Sequence, residues 1–144
     1  MGLQAVYLAV DESTLDELVA LPPRDLLGAL ERLQAAGAPS LDLDTRWDGL
    51  HFLLTGVSAN APVEGDPRRE AVVGVHVFDG DGCVGCTEAF ELPPVVAALA
   101  AFPIGERLAA ADFGAFWRAG IYPNIWGGSP AALRAELDDA FTSL

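Results

Sequence analysis

Hydrophobic positions along the chain switch between unbroken runs and a helical period, and each switch marks a predicted element. Residues 3–10, LQAVYLAV, are almost wholly apolar and read as a buried strand. Ser13 then offers an N-cap, with Leu15, Leu18 and Val19 following at helical spacing. Pro22 and Pro23 restart the chain. A second helix over 24–36 places Leu26, Leu27, Leu30 and Leu33 on one face before Gly37 and Pro39 stop it. The pair predicts an α-helical hairpin. A third helix over 45–55 gathers Trp47, Leu50, His51 and Leu54 on one face, with Asp44 as N-cap and Gly56 as the C-terminal stop.

Periodicity disappears in SANAPVEGDPRRE, residues 58–70, whose Pro, Gly and charge predict a surface loop long enough to serve as a lid. The β-branched run AVVGVHVF, 71–78, predicts a strand. DGDG at 79–82 supplies a hairpin turn, and CVGCTEAFEL, 83–92, returns as the partner strand. Pro93 and Pro94 open a helix through Ala101, a further helix covers 106–118, and Ser129 with Pro130 opens a last one through Phe141. The intervening AGIYPNIWGG, 119–128, is an aromatic loop. Neither an internal repeat nor a linker divides the chain, so residues 1–144 are expected to form one domain, a size that buries roughly 68–70% of its unfolded surface.

Composition narrows the classes of partner. Hydrophobic residues make up 51% and charged ones 20%, a globular balance. Twenty-one acidic against eight basic residues give −13, and all eight are Arg. That field repels nucleic acid and anionic membranes, which need a basic patch, and it steers a basic protein toward the chain. Acidity also keeps a small protein soluble without any partner. The opening GLQAVYLAV has no Lys or Arg before it and meets Asp11 and Glu12 at once, unlike a signal peptide. VVAALAAF, 95–102, falls far short of the ~20 residues a membrane helix requires. Val6 also departs from the myristoylation pattern that Gly2 would begin. A cytoplasmic location is the expectation.

Candidate chemistry concentrates around His51. Asp48 lies three residues before it and Thr55 four after, so a helix clusters them beside Trp47 and Arg46. A general base oriented by a carboxylate has this arrangement. So does a buried histidine whose ring is satisfied by Asp48 and a backbone carbonyl, and the structural role is favoured because buried polar groups are generally hydrogen-bonded. Ser58 in GVSAN falls short of a nucleophile elbow, with a helix before it and Asn60 in place of the last glycine. Cys83 and Cys86 form a CxxC on a predicted strand, where residues three apart face opposite sides and the thiolate lacks a helix dipole, so two reduced thiols are expected. His51 and His76 could complete a zinc set only at a spacing unlike compact zinc motifs. A calcium loop starting at Asp79 would have Val84 sixth and Phe90 twelfth, which excludes it. GGSP at 127–130 could hold an anion, but capping by Ser129 explains it. No nucleotide-binding glycine pattern occurs, and no cofactor or metal is expected. Tyr122, Asn124 and Trp126 either form a binding loop or cover the edge of the core.

LDLDTRWDGLHFLLTG at 41–56 resembles the YfbM-like family, a bacterial domain of unknown function, and the likeness extends to MGLQAVYLAV, DPRREAVVG at 66–74 and GIYPNIW at 120–126. The resemblance implies a single α/β domain, a small mixed β-sheet with helices packed on its faces, with α+β as the alternative. It carries over no catalytic residue. Family members continue into a longer last helix and a closing strand where this chain ends at FTSL, which would leave a sheet edge open to pairing. Two functions follow. The preferred one is a non-enzymatic protein-binding module, with an inhibitor or immunity-type protein for a basic partner as its finer form. The alternative is a small-molecule site or small enzyme with a pocket of Arg46, Trp47, Asp48, His51 and Thr55.

Overall fold

The computed structural model describes residues 3–61, 64–78 and 84–144. Strand β1 (Ala5–Leu8) is shorter than the apolar run that contains it, because the chain turns at Asp11 into helix α1 (Glu12–Val19). Asp11, rather than Ser13, caps α1, accepting a hydrogen bond from the Thr14 N–H at 2.7 Å. Helix α2 (Pro23–Ala35) turns Leu26 and Ala29 inward and leaves Leu27 exposed. Leu18, Leu26 and Ala29 form a small apolar cluster that Phe78 and Val84 help to cover.

Strand β2 (Ser40–Asp44) pairs antiparallel with β1, Tyr7 opposite Leu41 and Leu8 opposite Ser40. Its SLDLD alternation puts Leu41 and Leu43 on the core side and the aspartates outside. The expected capping role of Asp44 is therefore replaced by a strand end: Asp44 adopts φ 53 and accepts from the Gln4 amide at 3.0 Å, while Arg46 takes the cap position without a side-chain cap. Helix α3 (Trp47–Thr55) ends at Gly56, whose φ of 80 is a left-handed stop.

The described residues of 58–66 are irregular, as expected of a surface loop, but the expected strand that follows is largely displaced by a helix. Asp66 caps and Pro67 opens α4 (Pro67–Val73), an N-cap followed by proline at the first helical position. Helical capping and the packing of α4 against α3 and α5 override the β-branched run, so only β3 (His76–Val77) is extended. It pairs antiparallel with β4 (Gly85–Cys86), and the DGDG turn between them lies outside the described residues. The rest of the expected returning strand becomes a 3-10 turn (Ala89–Glu91) leading into helix α5 (Leu92–Ala101), because Glu88 and Glu91 form a reciprocal capping box. The single helix expected over 106–118 is two, α6 (Ile104–Ala109) and α7 (Phe113–Arg118), divided where Asp112 caps the second through the Gly114 N–H at 2.9 Å. Helix α8 (Pro130–Ser143) completes the described elements.

The mixture of helices and small strands is as expected, with the strands forming two antiparallel pairs among the described residues rather than one mixed sheet. The larger core joins Leu43 of β2, Leu50 and Leu54 of α3, Phe113 and Phe116 of α7, Ile121, Trp126, and Leu133 and Leu137 of α8. Trp126 stands 4.9 Å from Phe116 and 6.1 Å from Phe113, ring centre to ring centre. On its other side lies Gly49, where a methyl group would overlap the indole.

Two glycine-to-alanine substitutions should consequently have opposite signs. Gly49→Ala improves helix propensity by about 1 kcal/mol but forces the Trp126 ring out of a filled site, for a net loss of about 1–3 kcal/mol. Gly28→Ala in α2 meets only the Arg32 guanidinium at 3.4 Å and should stabilise by about 0.5–1 kcal/mol. Urea midpoints of the two variants moving in the same direction would contradict this packing.

Candidate functional site

Helix α3 presents Asp48 and His51 three residues apart on its inward face, and both are 0% exposed. The Asp48 carboxylate accepts the Ala59 N–H at 2.7 Å, the Tyr122 N–H at 2.9 Å and the Ser58 hydroxyl at 3.1 Å. One side chain thus ties α3 to the segment that follows it and to the loop before α8. Every donor comes from irregular backbone or its side chain, groups that must find an acceptor when buried.

His51 does not contact Asp48 through a hydrogen bond. Its Nδ1 lies 2.8 Å from the Val57 carbonyl, so Nδ1 carries the proton and donates. The Thr55 hydroxyl donates to the His51 carbonyl at 2.8 Å and stands 3.2 Å from Nδ1. Nε2 is buried and has no partner among the described residues. Burial pushes the imidazole below its ordinary value, against the opposing pull of the Val57 carbonyl and the Asp48 charge, which leaves it neutral near pH 7.

These distances do not assemble Ser58, His51 and Asp48 into a triad. Ser58 donates to Asp48 directly and His51 turns to a carbonyl, so the nucleophile–base–acid order is not assembled. The other members of the expected pocket are engaged elsewhere. Arg46 reaches α8, donating to Asp139 at 2.8 Å and, through Nε, to the Leu43 carbonyl at 3.1 Å. Trp47 donates its indole N–H to the Leu3 carbonyl at 3.0 Å and stacks on Tyr122, ring centres 5.5 Å apart. Tyr122 in turn accepts the Leu3 N–H through its hydroxyl. The first turn of chain before β1 is thereby clamped between two aromatic side chains.

The aromatic loop divides. Trp126 is 4% exposed and donates its indole N–H to the Ile121 carbonyl at 2.9 Å, so it is a core residue and not an exposed anchor. Asn124, at φ 69, is exposed, and its N–H donates to the Ile121 carbonyl at 2.9 Å across the cis Tyr122–Pro123 bond. Ser129 starts α8 without a side-chain cap bond, contrary to expectation, and Pro130 removes one of the donors that would need it. Cys86 is half-buried on β4, where burial and then the Glu91 and Glu88 charges raise its thiol, conditions opposite to those of a reactive cysteine. Cys83 lies outside the described residues. Opposite Cys86, His76 pairs with Glu91 at 2.7 Å. No group of three or more His, Cys, Asp or Glu suited to a metal occurs among the described residues.

One cleft was not foreseen. The last turn of α3, Arg68 of α4, Arg107 of α6 and Phe116 of α7 line an open cleft of about 300 Å³. Arg68 and Arg107 are 39 positions apart in the chain and carry no shared motif, so only the packing of α4 and α6 beside α3 brings them together.

The family described as Domain of unknown function (DUF1877) matches residues 1–144. This chain belongs to that family. YfbM of Escherichia coli K12 is 32% identical over 127 residues, covering 87% of this chain and 75% of the relative. A crystal structure of YfbM from Escherichia coli, described there as a protein of unknown function, is similar with a TM-score of 0.76 at 26% identity, covering 97% of this chain and 89% of that one. The DUF1877 fold is thus shared, and the relatives bring no assigned activity. Among the described residues of this DUF1877 chain, no helix is long and apolar enough to cross a membrane.

Two measurements test the polar core. Asp48→Ala strands two backbone N–H groups, each costing about 1–3 kcal/mol, so a loss of about 3 kcal/mol or more is expected in urea unfolding. A loss below about 1 kcal/mol would show that the loops do not depend on Asp48. For His51 the folded value lies below the unfolded one of 6.5. Below that pH the unfolded chain binds more protons, so stability is full above it and falls as acid is added toward the folded value. Between about pH 6.5 and pH 5, the urea midpoint of His51→Gln should decline less than that of the parent; parallel curves would remove this assignment.

Proposed function

We propose that this protein is a non-enzymatic protein-binding module for a partner that is both basic and apolar. The observation that carries the proposal is the outer face of α5 and the turn before it. Phe90 is 73% exposed, Leu92 44% and Val96 60%, on a helix whose ten residues include no charge. Val95 alone of that helix is fully buried, and it faces the core. Isolated apolar residues on a surface are ordinary, but three within seven positions of a chain carrying −13 are a concentrated apolar patch in a strongly negative field.

Charge decides the occupant. A second copy of the chain would bring another −13 against the first, whereas a basic segment gains long-range attraction as well as apolar burial. An inhibitor or immunity-type role toward a basic enzyme is the finer form of the proposal and rests on surface charge alone. The pocket reading draws no support from Asp48 and His51, which have no exposed surface through which a ligand could reach them.

The test compares the parent with Phe90→Ser/Val96→Ser in affinity capture from the cell's own lysate, followed by identification of what stays bound. One stoichiometric basic protein, released as salt rises and missing from the variant, is the expected result. Retention of that protein by the variant would refute the α5 face as its docking site. Both side chains are exposed, so the variant's melting temperature should stay within a few degrees of the parent's.

A further inference from the structure

We infer that the cleft between Arg68 and Arg107 is a binding site for a small organic monoanion with a flat apolar body. Its floor is apolar: Phe52 and Phe116 meet edge to face with ring centres 4.7 Å apart, and Leu53 and Ala111 extend that surface. Its volume of about 300 Å³ is at the lower end of the roughly 300–1,000 Å³ typical of small-molecule sites.

The two guanidiniums differ in what they can offer. Arg68 already forms a two-point pair with Asp66, Nε to Oδ1 at 3.0 Å and Nη2 to Oδ2 at 2.8 Å, so its charge is matched. Arg107 rests 5.8 Å from the centre of the Phe102 ring and makes no ion pair among the described residues. Three of the eight arginines, Arg46, Arg68 and Arg118, form ion pairs among the described residues, and of the two that line this cleft Arg107 is the one whose charge is left for a ligand. A planar guanidinium recognises a carboxylate or sulfonate through paired N–H donors, and the aromatic floor accommodates a ring behind that group.

The charge count selects a monoanion. One uncompensated cation neutralises one negative charge, and the C-terminal end of α3, lining the same cleft, presents carbonyl oxygens and the negative end of its dipole. A phosphate dianion would leave a charge unmatched there. This site is independent of the α5 face and of the partner proposed for it.

The probe is anilinonaphthalene sulfonate, a flat aromatic monoanion, titrated against the folded protein by fluorescence and calorimetry. One saturable site is expected, weakened at least about tenfold in Arg107→Gln, the loss of one charge-assisted hydrogen bond. Arg32→Gln, beside the separate cleft of Leu18, Ala29 and Leu33, should bind as the parent does. Naphthoate should displace the dye and inorganic phosphate at the same concentration should not. The absence of a saturable site, undiminished binding by Arg107→Gln, a loss in Arg32→Gln instead, or equal displacement by phosphate would each overturn the assignment. Near-ultraviolet circular dichroism checks that Arg107→Gln is folded. If it is not, Ala110→Phe, which obstructs the cleft from the exposed end of α6, replaces it with the same expected loss.

Discussion

A carboxylate removed from water has to be surrounded by donors, and the arrangement of this chain around Asp48 answers that requirement. Three donors converge on it from two segments more than sixty positions apart, at Ser58, Ala59 and Tyr122. An isolated buried carboxylate would cost far more than any single packing contact provides, so the two loops and α3 are stable only in one another's presence. The position of Tyr122 then follows, and with it the stack on Trp47 and the capture of Leu3.

The apolar packing is organised by the same helix. Gly49, next to Asp48, leaves room for the Trp126 indole, and Leu50 and Leu54 enter the core with Phe116 and Leu137. Polar and apolar constraints therefore reinforce each other: the Ile121 carbonyl that receives the Trp126 N–H lies one residue before the N–H that reaches Asp48. His51 completes this face as a neutral group bonded to the Val57 carbonyl. It closes the turn after α3 and has no exposed surface in this structure.

The two binding sites proposed lie on the surface and on the outer side of α3. The last turn of that helix, bounded by α4 and α6, borders the arginine cleft, and α5, supported by α4, carries Phe90, Leu92 and Val96 outward. Both features sit on elements whose inner faces are held by the core, the arrangement that gives a binding surface a fixed shape.

The sequence alone determined helices α1 and α2, the C-terminal end of α3, the extent of α5 and α8 and the pairing of β3 with β4, because these depend on period, caps and turn residues that act over a few positions, while the family was legible from motifs spread along the chain. The SLDLD alternation of β2 and the Asp-Pro start of α4 were also legible as local signals, though the short strand and the β-branched run after the proline pointed elsewhere. Trp126 in the core, three donors on Asp48, and Arg68 beside Arg107 were decided only by tertiary structure. An aromatic residue in a glycine-rich loop has the same local pattern whether it meets solvent or a glycine on a distant helix, and a carboxylate does not encode in its neighbours which backbone N–H groups will need it. Those choices are made by burial and by the satisfaction of polar groups across long separations in the chain.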